Sequence, residues 1–505
     1  MAGVDLIAGR KHAPRRLGRV LVLGLGKSGR AVVDYCLPLL GGRVRALAVA
    51  AGARTPAAEE AADAARAAGA LVAFGDKAVR ELSRAVGGPF DLCVASPGIP
   101  ASSALYADAA AVSAEVVSEV ELAWRESAAD SRWAAVTGTN GKTTVTSLVA
   151  HLLRAAGEDA GAVGNIGETC LGAVAAGGTR TYVAEVSSYQ LASTSRFAPD
   201  AAVLLNVTPD HLAWHGGFEA YRDAKLKVLA NLPRVPGSVA VLDATDDVTR
   251  AQVRRLRALT RAERGFSYVP VGGGEGLSAD MRAACGSENA AFLGVDGMLR
   301  VALDGREAAL LRADELRIKG EHNVSNALAA AAVALALGAA PEAVAEGLRT
   351  FAPLEHRIEP CGTVGGAECF NDSKATNVDA TLKALAAFPG RRLVVLLGGD
   401  DKGTDLAPLV EAVHEHAAAA VCFGAAGPRF AAAFEQAAPN APEGFCLLRV
   451  SRLKDAFEAA LSQAGPGDAV LLSPACASFD EFGSFEERGR VFKSLVSARA
   501  GAPGA

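Results

Sequence analysis

Residues 134–153 read AAVTGTNGKTTVTSLVAHLL: an apolar run, a glycine loop and then an amphipathic helical pattern. Gly138 and Gly141 let the loop turn with its amides pointing inward, and Lys142 brings a positive charge to the phosphates of a nucleotide. The next residue, Thr143, offers a hydroxyl to Mg²⁺. The spacing G-x-x-G-K-T is two residues shorter than the usual phosphate loop. Its position between a strand and a helix nevertheless predicts a nucleotide-binding α/β domain.

The same alternation of short apolar runs and alanine-rich helical stretches continues in both directions along the 505 residues. Such alternation is typical of parallel βα units. A polar stretch interrupts it near 118–130, and a proline interrupts it near 351–357. We therefore predict an α/β protein of three domains: a Rossmann-like N-terminal domain (1–118), a central P-loop-type ATP-binding domain (119–352) and a Rossmann-like C-terminal domain (353–505). We expect the glycine-rich residues 266–320 to form a peripheral sheet or an insertion.

Composition and charge exclude several functional classes. The chain has 51 lysines and arginines against 56 aspartates and glutamates, a formal charge of −5. That balance argues against a protein that coats nucleic acid or an anionic membrane. Half of the residues are hydrophobic, which excludes general disorder, and we find no membrane-spanning stretch. Nine cysteines without a Cys-x-x-Cys pair, and no signal-peptide pattern, predict reduced thiols in a cytoplasmic protein.

Another glycine loop, GLGKSG at 24–29, follows the apolar run at 20–23. Glycines in this arrangement let the backbone approach a diphosphate at the N-terminus of the next helix. A dinucleotide site would place an acidic residue about 20 residues further on, where this chain reads RVRALAVAAGA. The absence of an acid favours a diphosphate held without that ribose contact over NAD. A strand–helix turn that binds nothing is the alternative reading of this loop.

Candidate metal ligands follow the strands of the central region. Glu185 ends a predicted strand beside the phosphate loop, where a Mg²⁺ ligand belongs in an open α/β sheet. Asp210 and His211 follow the next strand, and their position at the same sheet edge favours a functional role for the histidine. Lys225 lies on an amphipathic helix, where a lysine is normally a solvated charge. Periodicity alone therefore gives Lys225 no role.

Together these motifs resemble the ATP-dependent Mur ligases of peptidoglycan synthesis. The central motifs also resemble folylpolyglutamate synthetases; they are TGTNGKTT (137–144), GNIG (164–167), EVSSYQL (185–191) and NVTPDH (206–211). Three C-terminal motifs narrow the resemblance to the branch of the family that adds D-glutamate: NDSKATN (371–377), LLGGDDKG (396–403) and SPACASFDEFGSFEERG (473–489). The resemblance spans all three predicted domains.

The resemblance implies an ADP-forming ligase that joins D-glutamate to UDP-N-acetylmuramoyl-L-alanine in the cytoplasm, through an acyl phosphate made with ATP. It further implies two Mg²⁺ ions and a carbamylated Lys225, which would supply an anionic metal ligand. We expect a monomer with no nucleic-acid or membrane partner. The incoming amine must be neutral to attack, and His211 is a candidate base unless a metal-ligand role excludes it.

Carried over position by position, the resemblance assigns residues to each part of the site. The catalytic residues would be Lys142, His211 and Lys225. The ATP-binding residues would be Gly138, Thr139, Asn140, Gly141, Lys142, Thr143, Thr144, Asn326, Arg357 and Asp372. The metal ligands would be Thr143, Glu185, His211 and Lys225. The UDP-muramoyl substrate would contact Lys27, Ser28, Gly98 and Asn165, and D-glutamate would contact Thr376, Lys402, Ser478 and Phe485.

Two departures from the family pattern concern uridine recognition and the loop beside the metals, and neither concerns the phosphate chemistry. The usual aspartate near the end of the second strand, which contacts uridine, is absent, and Ala213-Trp214 replaces the usual Asp-Arg after Asp-His. The alternatives are another Mur ligase or a folylpolyglutamate-type enzyme, a nucleotide-binding regulatory protein without catalysis, and an NAD oxidoreductase. The C-terminal motifs argue against another Mur ligase or a folylpolyglutamate-type enzyme. The retained phosphate-site residues argue against a regulatory protein, and the missing acid after the first glycine loop argues against an NAD oxidoreductase.

Overall fold

A computed structural model describes residues 5–272, 289–318, 320–401 and 403–500. The chain divides into two compact units, Met1–Glu315 with Val324–Thr350, and Leu316–Asn323 with Phe351–Ala505. Three β-sheets form the fold, two in the first unit and one in the second. The predicted α/β class with three sheet-based domains is confirmed. The exact domain boundaries stay a prediction, since the first two sheets share one compact unit.

The first sheet is parallel and has five strands: β1 (Gly18–Leu23), β2 (Val44–Ala51), β3 (Leu71–Phe74), β4 (Leu92–Ala95) and β5 (Val116–Ser118). Its helices are α1 (Lys27–Cys36), α2 (Pro56–Ala67), α3 (Ala78–Ala85), α4 (Ala104–Ala111) and α5 (Glu119–Glu126). The strand order is β3-β2-β1-β4-β5. Strands are added to one side of β1 as far as β3 and then to its other side from β4. In open parallel sheets, ligands bind where the strand order switches in this way, beyond the carboxyl ends of the strands. The GLGKSG loop lies there.

The second sheet has nine strands: β6 (Arg132–Thr137), β7 (Ala160–Gly164), β8 (Thr181–Glu185), β9 (Ala201–Leu204), β10 (Val239–Asp243), β11 (Ser267–Gly272), β12 (Ala290–Leu293), β13 (Met298–Leu303) and β14 (Arg306–Arg312). Its helices are α6 (Lys142–Ala155), α7 (Cys170–Ala176), α8 (Ser188–Ala192), α9 (Leu212–His215), α10 (Phe218–Leu226), α11 (Asp247–Arg257), α12 (Arg261–Arg264), α13 (Glu321–Ala336) and α14 (Pro341–Thr350). The order is β14-β13-β12-β11-β10-β9-β6-β8-β7.

Strands β6, β8 and β9 are parallel neighbours in this sheet. Apart from Arg132 at the start of β6, their residues are buried, as expected for a parallel sheet covered on both faces by helices. The three motifs that follow these strands therefore emerge at one sheet edge. Strands β12 to β14 pair antiparallel at the far side. The peripheral strands expected in 266–320 thus extend the central sheet, while 273–288 and 319 lie outside the described residues.

The third sheet has six strands: β15 (Glu359–Val364), β16 (Ala367–Asn371), β17 (Leu393–Gly398), β18 (Ala419–Phe423), β19 (Cys446–Arg449) and β20 (Ala469–Leu472). Its helices are α15 (Val378–Leu385), α16 (Ala407–His416), α17 (Gly427–Gln436), α18 (Leu453–Gln463) and α19 (Phe485–Ala500). The order is β15-β16-β20-β17-β18-β19, and only the β15–β16 pair is antiparallel among these described strands.

The described ranges bear on two predictions from the sequence, that the chain has no membrane-spanning stretch and that its cysteines are reduced. Within them, no helix has both the length and the apolar character needed to cross a bilayer. The eight cysteines that fall in those ranges are all free thiols, and most of them are buried. Burial raises the pKa of the Cys93 thiol to about 12, so this side chain behaves as a small apolar core residue.

Candidate functional site

The TGTNGKTT loop connects β6 to α6 and is packed closely from more than one side. Gly141 precedes the first residue of α6 with a φ of 84°, a conformation that favours glycine. A Cβ on Gly138 would lie 2.9 Å from the Cβ of Leu205, and a Cβ on Gly141 would lie 2.8 Å from Oδ1 of Asn326. The loop therefore requires both glycines, and it has the predicted ATP residue Asn326 as its neighbour.

Two lysines donate to the same carbonyl of this loop. Lys142 Nζ donates to the carbonyl oxygens of Gly138, at 2.9 Å, and Thr139, at 2.8 Å. Lys225 is 2% exposed, and its Nζ donates to the Gly138 carbonyl at 2.7 Å. Burial, and then the charge of Lys142, hold the pKa of Lys225 well below its usual range. Lys225 is thus a buried amine beside the phosphate loop and not the solvated charge that its helix pattern suggested.

Glu185, at the end of β8, has the properties of a cation ligand. It is 2% exposed, and its Oε1 accepts a hydrogen bond from Nδ2 of Asn165 at 3.0 Å. Its Oε2 is buried and has no hydrogen-bond partner among the described residues. A buried carboxylate oxygen is expensive to leave unpaired, and a bound cation would remove that cost. Oxygen ligands are those that Mg²⁺ prefers, so Glu185 fits the predicted metal.

His211 lies at the same edge, just after β9. Its backbone is left-handed, with a φ of 54°, and its N–H donates to Oδ1 of Asp210 at 2.9 Å. Its Nε2 lies 3.5 Å from Oδ2 of Asp210, and its side chain is 40% exposed. The imidazole is therefore oriented by its neighbour yet accessible, which suits either of the two roles predicted for it.

The Ala213-Trp214 departure lies in an aromatic cluster. The ring of Trp214 is 4.4 Å from that of Tyr189 and 4.5 Å from that of His215. His215 Nε2 also shares a hydrogen bond with Ser188 Oγ at 3.0 Å. Aromatic packing thus takes the position where the family usually has an acid and a base, and His215 packs against Tyr189 of α8 and Tyr221 of α10.

Asn206 and Tyr221 hold the phosphate loop, and the sequence analysis missed both. Asn206 Oδ1 accepts from the backbone N–H of Asn140 at 2.8 Å, and its Nδ2 donates to the Asn140 carbonyl at 3.2 Å. The Tyr221 hydroxyl hydrogen-bonds Thr139 Oγ1 at 2.8 Å. The available signal for Tyr221 was its position one helical turn before Lys225, which places both on one face of α10.

Four residues predicted to bind the nucleotide substrate line one cavity of about 550 Å³: Lys27, Ser28, Gly98 and Asn165. We call it the substrate cavity. It contains residues from both sheets of the first unit, and Lys27 Nζ donates to the carbonyl of Gly167. At the end of β2 the lining consists of Ala51, Gly52 and Ala53. Among the described residues that line the cavity, none is acidic, which favours an anionic ligand.

Asp372 is the most buried of the nucleotide residues predicted in the second unit. It is 6% exposed; its Oδ2 accepts from Ser473 Oγ at 2.7 Å and its Oδ1 from the Ile358 N–H at 3.2 Å. Burial raises its pKa to about 7, and the nearby charge of Arg357 opposes that rise. Both carboxylate oxygens therefore have partners inside this unit.

Arg488, on α19, connects two loops of the second unit and was also missed. Its side chain is fully buried. Nε donates to Ser373 Oγ at 2.9 Å, and the terminal nitrogens donate to the carbonyls of Ser373, Cys476 and Ala477 at 2.9, 3.0 and 2.9 Å. A buried charge needs such a full set of acceptors. No periodic pattern distinguished this arginine from its exposed neighbours on the helix.

The two loops that Arg488 joins contain the predicted D-glutamate residues Thr376 and Ser478, and a third, Phe485, begins the same helix as Arg488. The structure brings their segments together, and Lys374 Nζ lies 3.6 Å from the centroid of the Phe485 ring. The fourth, Lys402, lies outside the described residues. The geometry is thus compatible with a common site for three of the four residues, and their individual roles stay predictions.

Family comparison agrees with these motifs. The chain matches the Mur ligase middle domain over residues 136–334 and the Mur ligase glutamate ligase domain over residues 356–476. The first match includes the phosphate loop, Glu185 and Lys225, and the second includes Asp372. The chain belongs to the Mur ligase family.

Relatives with a more particular name cover nearly the whole chain. The UDP-N-acetylmuramoylalanine–D-glutamate ligase of Bordetella parapertussis is 37% identical over 95% of this chain and 96% of its own length. The protein of the same name from Frankia casuarinae is 39% identical over 95% of this chain and 94% of its own. The predicted branch of the family is therefore supported by whole-length relatives.

Solved structures share the fold at low identity. UDP-N-acetylmuramate-alanine ligase from Thermotoga maritima has a TM-score of 0.53 at 19% identity and covers 95% of this chain and 99% of its own. A pseudomurein peptide ligase type C from Methanothermus fervidus has a TM-score of 0.53 at 16% identity, over 94% and 99%. At this identity the likeness concerns the fold alone.

Proposed function

We propose that this chain joins D-glutamate to UDP-N-acetylmuramoyl-L-alanine, with conversion of ATP to ADP and phosphate, in peptidoglycan precursor synthesis. The observation that carries the proposal is the meeting of the phosphate loop, Glu185 and Lys225 at one edge of the central sheet. Membership of the Mur ligase family and the names of the whole-length relatives support the same reaction. The cytoplasm, where both substrates are soluble, is the proposed location, and the proposed assembly is a monomer.

The reaction needs ATP because a free carboxylate is a poor electrophile. An oxygen of the L-alanyl carboxylate attacks the γ-phosphorus, ADP leaves, and an acyl phosphate forms. The neutral amine of D-glutamate then attacks the acyl carbon, and a tetrahedral intermediate expels phosphate to leave the amide. Lys142 would offset the negative charge that gathers when the carboxylate approaches the γ-phosphate. The other proposed ATP residues are those of the loop with Asn326, Arg357 and Asp372.

The proposed metal ligands are Thr143, Glu185, His211 and carbamylated Lys225. These residues would hold two Mg²⁺ ions, which supply positive charge between the carboxylate and the phosphates. To form the carbamate, the neutral amine of Lys225 adds to CO₂, a nitrogen–carbon bond forms and the nitrogen loses a proton. Burial of Lys225 beside Gly138 supports this step, since a desolvated amine favours its neutral form.

Asn165 connects the substrate cavity to the phosphate site. Its amide donates to Glu185 Oε1 at 3.0 Å, and the same residue lines the cavity with Lys27 and Ser28. A muramoyl substrate in this cavity would therefore reach from the first glycine loop toward the second. We propose Thr376, Lys402, Ser478 and Phe485 for D-glutamate, and His211 as the base only if it is not a metal ligand.

The test is phosphate release by the purified chain with Mg-ATP, UDP-N-acetylmuramoyl-L-alanine and either D-glutamate or L-glutamate. Release that requires the nucleotide substrate and occurs with D-glutamate alone is the expected result. Release with folyl substrates instead would move the chain to the folylpolyglutamate branch. Release under neither condition would overturn the proposal and favour a regulatory nucleotide-binding role.

A further inference from the structure

Helix α5, which follows the first sheet, is buried along its whole length although half of its residues are charged. All eight residues from Glu119 to Glu126 are buried. Three of them are glutamates, at 2% exposure or less. Buried carboxylates are expensive unless each finds partners. The partners of these three glutamates lie in both halves of the first unit, on segments that form the substrate cavity.

Glu119 holds the segment that contains Asn165. Its Oε1 accepts the backbone N–H of Leu171, in the first turn of α7, at 2.6 Å. The residues just before α7, Gly164, Asn165 and Thr169, line the substrate cavity. Glu119 itself does not line the cavity, so it acts on the ligand only through this segment.

Glu121 holds the segment just after α8, a helix that contributes a lining residue to the cavity. Its carboxylate accepts from the backbone N–H groups of Ser195, at 2.5 Å, and Arg196, at 3.1 Å. Arg125 neutralises it, donating at 2.6 Å. Gln190 of α8 lines the substrate cavity, so Glu121 holds the segment that follows the helix of this lining residue.

Glu126 attaches the opposite end of α5 to the first sheet. Arg43 donates to both of its carboxylate oxygens, at 2.7 and 2.9 Å. The Tyr35 hydroxyl donates to Oε2 at 2.7 Å. Tyr35 lies on α1, the helix that begins at Lys27 of the cavity. The three glutamates therefore fix, through one helix, the segments that form opposite walls of the cavity.

We propose that α5 is a positioning helix that holds the substrate cavity in its binding geometry before the ligand arrives, with Glu119 as the positioning residue for the Asn165 segment. The proposal deepens the proposed function and rests on it, since it takes a UDP-linked substrate as the ligand of the cavity. A preformed cavity loses less conformational entropy when the ligand binds, so disturbing α5 should weaken the affinity for that ligand. The hydrogen bonds described here for the three glutamates go to Leu171, Ser195, Arg196, Arg125, Arg43 and Tyr35, all outside the phosphate loop. The one link to the phosphate site among these described contacts is the Asn165 amide, which donates to Glu185.

The test compares Glu119→Met with Glu119→Gln in the full-length chain. Methionine keeps the length of the side chain but cannot accept the Leu171 N–H, whereas the glutamine carbonyl can. A segment released by the loss of this acceptor must be ordered again when the ligand binds, which corresponds to a loss of roughly tenfold in affinity. We expect Glu119→Met to raise the KM for UDP-N-acetylmuramoyl-L-alanine and the Kd for UDP about tenfold, with the KM values for ATP and D-glutamate within twofold. Glu119→Gln should restore both constants.

The matched control is Asp108→Asn, which removes the ion pair of Asp108 with the exposed Arg80 outside the cavity and should leave every constant unchanged. If Glu119→Met fails to fold, Glu119→Asp, whose carboxylate is one methylene shorter, takes its place with the same expectation. Unchanged UDP affinity in the folded variant overturns the proposal, as does an equal rise in all three KM values. A wild-type chain that neither ligates nor binds UDP overturns the proposed function instead.

Discussion

The two glycine loops, GLGKSG at 24–29 and TGTNGKTT at 137–144, have similar local structures and different surroundings. Each follows a buried parallel strand, and each is followed by a helix that begins at a lysine, Lys27 or Lys142. Lys27 donates to a carbonyl of another segment, and no described residue lining its cavity is acidic. Lys142 folds over its own loop, with Glu185 and the buried Lys225 beside it.

This contrast indicates what a glycine loop contributes and what its neighbours add. Backbone amides at a helix N-terminus favour an anion in both places. Phosphoryl transfer additionally requires positive charge and metal ligands at the reacting atoms. Among the residues that the structure describes, positive charge lies at both loops, but only the second has candidate metal ligands beside that charge. We therefore expect the first loop to bind and the second to support the chemistry.

The largest expected effect is that of Lys142→Ala. Removing the charge nearest the proposed γ-phosphate should lower kcat by at least about a thousandfold. Trapping the acyl phosphate with hydroxylamine should yield no product, while the thermal unfolding midpoint stays close to that of the wild type. Lys77→Ala, at an exposed lysine, is the matched control. Near-normal turnover in Lys142→Ala would make the two loops equivalent and contradict the assignment.

Lys225→Ala should lower activity by about a hundredfold or more, because a metal ligand is lost. If a carbamate is that ligand, acetate or bicarbonate should restore part of the activity by supplying an anionic oxygen. The same anions should not restore Lys142→Ala, which serves as the control. Phosphate release with and without each anion is the measurement. Rescue by neither anion would leave Lys225 with an ordinary hydrogen-bonding role.

Lys27→Ala tests the first loop directly. A charge-assisted contact to a diphosphate corresponds to roughly a tenfold change in affinity. The KM for UDP-N-acetylmuramoyl-L-alanine should therefore rise about tenfold, with kcat and the KM for ATP within twofold. Steady-state kinetics with each substrate varied in turn provide the measurement. A loss of kcat as large as that of Lys142→Ala would show that the first loop takes part in the chemistry as well as in binding.

The smallest effect on the kinetic constants is that of Glu119→Gln, which should leave them near the wild-type values and tests stability instead. Burial raises the pKa of the Glu119 carboxyl to about 7, opposed by the Leu171 N–H and Lys27. Because the folded-state pKa lies above the ordinary value of 4.5, its contribution to stability is fully present below pH 4.5 and is lost as the pH rises through 7. Relative to Glu119→Gln, the wild type should lose up to about 3 kcal/mol between pH 5 and 8.

Urea unfolding of both proteins at pH 5, 6, 7 and 8 measures this difference. Asp108→Asn, which changes the carboxylate paired with Arg80 to an amide, should give a pH dependence parallel to that of the wild type. A Glu119→Gln curve parallel to the wild type would show that Glu119 titrates normally. That outcome would show that burial near the first loop does not raise the pKa of the Glu119 carboxyl.

Several parts of the fold were predictable because their signals are local. The β1 and β6 strands, both glycine loops and the helices after them follow from apolar runs and turn residues within about twenty positions. Glu185 was predictable because it ends a buried strand beside the phosphate loop. Lys225 was not predictable from its helix pattern and gained a role only through the family resemblance. Its burial depends on packing that no helical period encodes.

Asn206, Tyr221 and Arg488 show where sequence reasoning failed. Each acts through contacts with residues distant in sequence: Asn206 with Asn140, Tyr221 with Thr139, and Arg488 with Ser373. A hydrogen bond of this kind leaves no mark on the spacing of neighbouring residues. The same limit applied to 266–320, where the sequence predicted peripheral strands but not that β11 to β14 would extend the central sheet.

The alternation of strands and helices, the two glycine loops and the lysine at the start of each following helix follow from local sequence, since backbone geometry and apolar periodicity are short-range properties. Long-range packing buries Lys225 beside Gly138, leaves Glu185 Oε2 without a hydrogen-bond partner among the described residues, and connects α5 to segments that line the substrate cavity. Burial removes these groups from water, and the partners that compensate each one come from distant segments. Desolvation and long-range pairing therefore set the chemistry of the site.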